Sequence, residues 1–268
     1  KKLKGNKVNL LLHCHEYTSP ENYNDMWLVQ KMHKMETKMY PVSYVWISHT
    51  NEVRLEQFKK DHDLENVNKN IFHVMPNYPS RSWSSFKTDF GSTDKTRIVF
   101  VGSLGYDNMY LQETVDWVEL NKDCFSLDIY AYNIDKKAKN LLDSINNNCI
   151  NHYQGFDYKE LPFILKKYDI GLVLYKPYNF NHVNGVSNKV FEYLACDLDV
   201  WFPKDNTYML SMVREKSYPK ILGLDFTNLP GFDFKNALKR DGMDYHSDNF
   251  FYETIYKEIY ENMATDSK

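Results

Sequence analysis

The sequence has little of what marks several common classes of protein. Its four cysteines form no CxxC pair and have no zinc-type spacing, so they indicate reduced thiols and neither a disulfide framework nor a zinc site. No apolar run reaches the ~20 residues that a membrane-spanning helix needs. The first residues carry no charged-then-apolar leader. We therefore expect a cytoplasmic protein.

An excess of basic residues is also missing. The formal net charge is −3, whereas a protein that grips many nucleic-acid phosphates carries a clear basic excess. We therefore expect no nucleic-acid partner. A small substrate that carries phosphate stays compatible with this charge, because it needs one local positive site. Hydrophobic residues make up 43% of the 268 residues, which is enough for a packed core.

The chain alternates between short apolar segments and longer helix-forming segments. Strands separated by helices of this length indicate parallel βαβ units in a doubly wound sheet, which binds ligands beyond the carboxyl ends of its strands. The predicted strands are residues 8–13, 42–48, 70–75, 97–101, 125–132, 150–154, 170–175, 199–202 and 220–224. The predicted helices are residues 21–39, 50–62, 108–121, 135–146, 158–167, 187–196, 206–216 and 247–263.

A polar, serine-rich stretch interrupts this alternation at residues 80–95. We interpret it as a linker, because the strand–helix pattern restarts immediately after it. The prediction is an α/β protein with a partial N-terminal Rossmann-like domain over residues 1–93 and a second Rossmann-like domain over residues 94–232. A C-terminal helical segment over residues 233–268 should pack back on the N-terminal domain, because its aromatic face needs burial.

Two motifs stand where a doubly wound sheet binds ligands. Residues 101–105 (VGSLG) follow a strand and precede a helix, and their glycines let the backbone approach a phosphate. A tight turn without a ligand explains this motif equally well. Residues 184–196 (NGVSNKVFEYLAC) place Lys189 and Glu192 on one helical face. This pair can serve a diphosphate and a ribose, or it can be an ordinary surface ion pair.

The order of these motifs is similar to that in the donor domain of GT-B glycosyltransferases of family 4. The resemblance covers residues 99–200 and rests on FVGSL, LDIYAYN, YQGFDYKELPFIL, KKYDIGLVLY and NGVSNKVFEYLACDLDVW, in this order. Some positions depart from the family pattern. Asn184 stands where the first of two acidic residues is usual, and residues 197–200 (DLDV) replace Gly-x-Pro-Val. The basic residues usual after the first glycine turn are also missing, and Ser103 stands there.

The resemblance implies a GT-B fold of two Rossmann-like units and a set of donor-binding residues. It implies that Glu192 accepts hydrogen bonds from the ribose, and that Lys189 and the backbone N–H groups of residues 186–188 hold the diphosphate. It also implies that Phe156 lies near the nucleobase and Asn184 near the transferred sugar. The predicted donor-binding residues are Gly102, Ser103, Tyr130, Phe156, Asn184, Val186, Ser187, Asn188, Lys189 and Glu192.

A further motif, HCHE, occupies residues 13–16 after the first predicted strand. The resemblance implies that His15 and Glu16 face the cleft near the acceptor or the transferred sugar, so we take them as candidate catalytic residues. A different interpretation is a metal pair of His13 and His15, since residues two apart on a strand point the same way. The family pattern contains more strands before this motif, so we expect the N-terminal domain to be incomplete in this chain.

The leading hypothesis is a glycosyltransferase that moves a sugar from a UDP- or GDP-sugar to a glycan or lipid-linked acceptor, with retention of configuration. We expect no cofactor and no metal, because the donor domain has no Asp-x-Asp at a strand end. We also expect that the protein can contact a membrane peripherally. The alternatives are a non-catalytic nucleotide-sugar-binding module of the same fold and a metal-dependent hydrolase built on His13 and His15.

Overall fold

The computed structural model describes residues 10–41, 45–67, 69–87 and 94–265. The described residues form two compact units, one within Lys1–Asn77 and Phe251–Lys268, the other within Tyr78–Phe250. Each unit contains a parallel sheet with helices, so the predicted α/β class is confirmed. No helix of the described residues has the length and apolar character to cross a membrane.

The division between the units falls at residue 77, ahead of the predicted linker at residues 80–95. The reason is local packing. Residues Arg81–Ser85 form a 3₁₀ helix, and the Trp83 ring in it is buried and lies 5.1 Å from the Tyr158 ring of the second unit. The beginning of the predicted linker is therefore part of the second unit, and residues 88–93 of it lie outside the described residues.

The first unit is built on a three-stranded parallel sheet. Its strands are β1 (Leu10–Cys14), β2 (Val45–His49) and β3 (Phe72–Val74), in that order across the sheet. The helices α1 (Trp27–Thr37) and α2 (Glu52–Asp61) precede β2 and β3. Asn51 caps α2, because its side chain accepts a 2.8 Å hydrogen bond from the Arg54 N–H. The C-terminal helix (Tyr252–Thr265) belongs to this unit.

The second unit contains the larger sheet. Its strands are β4 (Thr96–Val101), β5 (Phe125–Ala131), β6 (Ile150–Gln154), β7 (Ile170–Leu172), β8 (Asp199–Pro203) and β10 (Ile221–Leu224). The strand order is β10-β8-β7-β4-β5-β6, and all pairs are parallel. A short parallel pair, β9 (Ser217–Tyr218) with β11 (Asp244–Tyr245), lies apart from it. The chain winds outward from β4 in both directions, so the switch point of this doubly wound sheet lies between β4 and β7.

Helices connect the strands of the second unit. They are α3 (Leu111–Leu120), α4 (Lys136–Ser144), α5 (Leu161–Leu165), α6 (Phe180–Asn184), α7 (Asn188–Ala195), α8 (Thr207–Leu210) and α9 (Phe234–Ala237). The β4 residues Ile98, Val99 and Phe100 are all buried, as expected for a parallel strand covered on both faces. Gly171 of β7 makes room for α7, since a Cβ there would lie 2.2 Å from the buried Tyr193 ring.

Several helix predictions differ from the structure in extent, and the helix predicted at residues 247–263, for example, runs over Tyr252–Thr265. The helix predicted at residues 206–216 ends at Leu210, because the Arg214 backbone instead exchanges two 2.9 Å hydrogen bonds with Ile221. The Arg214 guanidinium also donates two 2.9 Å hydrogen bonds to the Asp248 carboxylate. The helix predicted at residues 21–39 is divided into a 3₁₀ turn, Pro20–Tyr23, and α1, which starts at Trp27. Residues 8–9 and 42–44 of the predicted strands lie outside the described residues.

Candidate functional site

The chain leaves β4 in a sharp turn at the switch point. Gly102 has a φ of +133°, a conformation that favours glycine, and its N–H donates a 2.9 Å hydrogen bond to the Tyr130 carbonyl at the end of β5. A Cβ added to Gly102 would lie 2.8 Å from both Cε and Nζ of Lys189. The Lys189 ammonium on α7 therefore lies directly against the Gly102 backbone, at the carboxyl end of β4, where no side chain intervenes.

The Lys189 ammonium is held in place by aromatic groups. It donates a 3.1 Å hydrogen bond to the Tyr175 hydroxyl, and it lies 5.2 Å from the Tyr175 ring and 5.7 Å from the Phe100 ring. Within the described part of the chain it makes no salt bridge. This positive charge is thus positioned by neutral partners, which leaves it available to an anionic ligand.

Glu192 lies one turn further along α7 and is almost completely buried, with 8% of its surface exposed. Burial raises its pKa, while the positive charge of Lys189 and a hydrogen bond with Tyr158 act in the opposite direction. Tyr158 follows β6 in the 3₁₀ turn Tyr158–Glu160. Burial and the neighbouring Glu192 carboxylate raise the pKa of Tyr158, so the hydroxyl is protonated and donates the hydrogen bond. This contact joins the β6 loop to α7.

The first turn of α7 presents backbone N–H groups beside Lys189. Ser187 is the N-cap residue, with φ −67° and ψ 138°, and its side chain makes no capping hydrogen bond. The Asn206 amide fixes the approach to the helix by donating to the carbonyls of Gly185, at 2.8 Å, and His182, at 2.9 Å. Uncapped N–H groups at a helix start attract anions through the helix dipole. Val186, Ser187 and Asn188 all lie at this start.

Two predicted donor-binding residues, Tyr130 near the end of β5 and Phe156 in the loop after β6, lie together, and Phe156 is the one predicted to lie near the nucleobase. Their ring centroids are 5.1 Å apart, and Tyr130 also stacks on Tyr153 at 4.9 Å. The hydroxyl oxygens of Tyr130 and Tyr168 are 2.8 Å apart, and Tyr168 in turn donates a 2.6 Å hydrogen bond to Asp128. The result is a fixed aromatic cluster that extends from Tyr168, before β7, to Phe156, after β6.

A cleft of about 640 Å³ opens beside the Gly102 turn. Residues that follow β4, β5 and β7 line it, among them Ser103, Gly105, Tyr132 and Tyr175. This volume is within the range of small-molecule sites, roughly 300–1,000 Å³. The cleft thus shares Tyr175 with the environment of Lys189.

Asn184 ends α6, and its amide is used in local structure. It donates a 3.2 Å hydrogen bond to the Phe180 carbonyl, and the Thr207 hydroxyl lies 3.5 Å from its Oδ1 atom. These contacts hold Asn184 within the loop between β7 and α7.

The departure from Gly-x-Pro-Val at residues 197–200 has a structural basis. Asp197 adopts a left-handed φ of +64°, a conformation that aspartate tolerates better than most residues. Its carboxylate accepts a 2.7 Å hydrogen bond from Lys87 and a 2.9 Å hydrogen bond from Tyr245. Asp199, at the start of β8, forms a 2.8 Å salt bridge with Arg240. Both carboxylates, of Asp197 and Asp199, are therefore engaged in structural contacts.

His15 and Glu16 are exposed immediately beyond β1 in the first unit. The Arg54 guanidinium donates a 2.9 Å hydrogen bond to the His15 carbonyl, and the His13 and His15 rings lie 4.4 Å apart. His13 Nδ1 is 2.9 Å from the Ser48 hydroxyl, and burial lowers the pKa of His13. The described residues contain no group of three or more His, Cys, Asp or Glu side chains arranged to hold a metal ion.

The structure adds residues that the sequence analysis missed. Tyr175 and Tyr158 contact Lys189 and Glu192 directly, although neither is among the predicted site residues. A signal for Tyr175 was present, since it is the first polar side chain after the buried strand segment at residues 170–174. Tyr158 carried no such signal, because its contact with α7 arises only from the fold.

No protein-family model matches this chain, and no curated protein matches it in sequence. The fold is similar to that of HepE from Anabaena, solved with UDP and glucose, with a TM-score of 0.60 and 12% identity over 96% of this chain and 72% of HepE. A glycosyltransferase from Rickettsia africae gives a TM-score of 0.55 and 12% identity over 96% of this chain and 67% of its own. A candidate UDP-N-acetylglucosamine 2-epimerase from Listeria monocytogenes gives a TM-score of 0.51 and 11% identity over 96% of this chain and 73% of its own. These likenesses show a GT-B type fold with Rossmann-like units.

Proposed function

We propose that this protein is a glycosyltransferase that takes its sugar from a nucleotide-diphosphate sugar. The observation that carries the proposal is the Lys189 ammonium lying against the Gly102 backbone at the switch point, with Glu192 one turn further on. The acceptor is a glycan or a lipid-linked glycan, and the sugar is transferred with retention of configuration.

The residues around Lys189 suit the leaving group of such a reaction. When the bond between sugar and diphosphate breaks, negative charge develops on the diphosphate. The uncapped N–H groups at residues 186–188, the α7 dipole and the Lys189 ammonium are preorganised to stabilise that charge. These groups serve the role that a metal ion has in other transferases, so we propose a metal-independent reaction.

The nucleoside has suitable partners beside this anion site. The Glu192 carboxylate would accept hydrogen bonds from the ribose hydroxyls in place of the one it takes from Tyr158. The aromatic cluster around Tyr130 and Phe156 would contact the base. In the first unit, His15 and Glu16 are the polar groups that we assign to the acceptor or the transferred sugar.

The structural neighbours support this choice of donor. HepE was solved with UDP and glucose, and the protein from Rickettsia africae is described as a glycosyltransferase. A second candidate is a nucleotide-sugar-binding module without transfer activity. One observation favours it, since Asn184 stands where an acidic residue is usual and its amide is engaged with Phe180.

Isothermal titration with UDP, GDP and their sugar derivatives tests the proposal. We expect saturable binding, and we expect Lys189→Met and Glu192→Gln each to weaken it by roughly 10- to 150-fold, the loss of one charge-assisted hydrogen bond of about 1.5–3 kcal/mol. Lys139→Met is the matched control, because Lys139 is exposed on α4 and should leave the affinity unchanged.

Product analysis then separates the two candidates. Transfer of the sugar from the bound donor to an acceptor supports the transferase. Binding without turnover supports the binding module, and an altered sugar still attached to the nucleotide indicates an epimerase. Absence of nucleotide binding would reject the donor site altogether.

A further inference from the structure

The cleft beside the Gly102 turn has a lining of unusual charge for a site next to a diphosphate. It is lined by residues 103–105, 107–109, 132–135 and 175. Among these described residues the charged side chains are two carboxylates, Asp107 and Asp135, and there is no lysine, arginine or histidine. The basic residues that the resemblance to family 4 leads us to expect after the glycine turn are thus replaced by acidic and neutral ones.

Two features beside the cleft could attract an acid, and the protein's own carboxylates occupy both. Lys137 Nζ lies 2.7 Å from Asp107 Oδ2 in a salt bridge. The N-terminus of α4 is capped by Asp135, which accepts hydrogen bonds from the Ala138 N–H at 2.8 Å and the Tyr106 N–H at 2.7 Å. These hydrogen bonds lower the pKa of Asp135, so its carboxylate is charged at neutral pH. An acid group that entered the cleft would therefore meet negative charge.

The remaining polar groups of the lining suit hydroxyl groups. Ser103, Asn108 and Asn133 are exposed, and within the part of the chain that the structure describes their side chains make no hydrogen bond. A serine hydroxyl and an asparagine amide both donate and accept, as a sugar hydroxyl does. The Tyr132 ring is 60% exposed and lies against Gly155, where an added Cβ would be 2.6 Å from it. This fixed ring offers an apolar surface to the C–H groups of a sugar.

The cleft adjoins the anion site at Lys189. Ser103 directly follows Gly102, and Tyr175 of the lining accepts the hydrogen bond of the Lys189 ammonium. A group linked to a diphosphate at Lys189 would therefore enter the cleft. We propose that the cleft binds the sugar of the donor and that this sugar is uncharged, a hexose or an N-acetylated hexosamine, while sugars with a carboxylate are excluded. This inference rests on the proposed function and names the class of sugar.

Isothermal titration of the 268-residue chain tests the charge class. The probes are UDP, UDP-glucose, UDP-N-acetylglucosamine and UDP-glucuronic acid, with GDP, GDP-mannose and GDP-mannuronic acid as the guanosine series. We expect a neutral-sugar donor to bind on the order of 10-fold more tightly than the acidic-sugar donor of the same nucleotide. Asp107→Asn with Asp135→Asn should narrow this difference, because asparagine keeps the α4 cap and removes both charges.

Asn133→Ala tests the contact with the sugar itself. It should weaken binding of the neutral-sugar donor by roughly 2- to 10-fold, the effect of one neutral hydrogen bond, and leave the affinity for the free nucleotide unchanged. Asn140→Ala, at an exposed position on α4, is the matched control. Asp123→Asn is the control for charge, because Asp123 is exposed just before β5, at the amino end of that strand. Both controls should bind every probe like the wild type.

The outcomes separate this inference from the proposed function. Nucleotide binding with an equal or higher affinity for the acidic-sugar donor overturns the charge class and leaves the donor site intact. Asn133→Ala overturns the placement of the sugar in the cleft if it binds the neutral-sugar donor like the wild type, or if it weakens free nucleotide and donor equally. A wild-type protein that binds no nucleotide rejects the proposed function and this inference together.

Discussion

Gly102→Ala is the substitution that addresses the candidate site most directly. The new methyl group would lie 2.8 Å from Cε and Nζ of Lys189, closer than a carbon contact permits. The backbone of the turn is anchored by its hydrogen bond to the Tyr130 carbonyl, whereas the lysine side chain is flexible. The Lys189 ammonium should therefore move away from the turn and from the Tyr175 hydroxyl.

The structure sets the size of two separate effects. An alanine held at a φ of +133° costs on the order of 1–3 kcal/mol of folding free energy. Displacing the ammonium from a bound diphosphate should lose about 1.5–3 kcal/mol of binding free energy, which is roughly 10- to 150-fold in affinity. The first effect appears in unfolding experiments, and the second appears in nucleotide titrations.

A double-mutant cycle with Lys189→Met isolates the second effect. If Gly102→Ala acts by moving the ammonium, it should weaken nucleotide binding in the wild type and have little further effect when Lys189 is already methionine. Gly242→Ala is the control for strain alone, since Gly242 has a φ of +72° and no atom within 4 Å of its added Cβ. It should lower stability and leave the affinity for nucleotide unchanged.

Two results would refute this account. One is a Gly102→Ala protein that is folded and binds nucleotide as tightly as the wild type. The other is a full loss of affinity in both backgrounds, because the alanine would then act on the ligand or on the turn and not through Lys189.

Three other outcomes are expected. Sugar transfer should survive EDTA, because the N–H groups of α7 can stabilise the leaving diphosphate; loss of transfer with EDTA and its return with Mg²⁺ or Mn²⁺ would contradict this. Burial lowers the pKa of His49 from 6.5 to about 4, so the stability due to its neutral ring is complete above pH 6.5 and is lost as the pH falls toward 4. Urea unfolding across that window should show a loss that His49→Leu reduces by up to about 3 kcal/mol, while His62, whose pKa burial also lowers to about 4, keeps its own share; an equal loss in both proteins would exclude His49 as a source. Gly171→Ala should destabilise the second unit by about 1–3 kcal/mol or more, because its methyl group overlaps the Tyr193 ring, and an unchanged denaturation midpoint would show that the ring can move aside.

The strand–helix alternation and the parallel sheet of the second unit were determined by the sequence itself. Apolar segments such as residues 98–100 and 170–174 are buried on both faces, and such burial leaves a local signal in residue type. The placement of Lys189 and Glu192 on one face of a helix also follows from spacing alone, since they are three residues apart. The predicted end of the helix at residue 216 failed because Arg214 pairs with Ile221 and Asp248, and such contacts leave no trace in local periodicity.

Only the tertiary structure decided what these local elements contact. Lys189 lies against Gly102 because β4 and β7 are neighbours at the switch point, although residues 102–169 separate them in the chain. Tyr158 contacts Glu192 because the β6 loop lies beside α7. The outward orientation of Leu28, Met32 and Met35 on α1 is likewise a tertiary result. Its periodicity shows that the helix has two faces, but only the contacts of His33 and Thr37 determine which face meets the solvent.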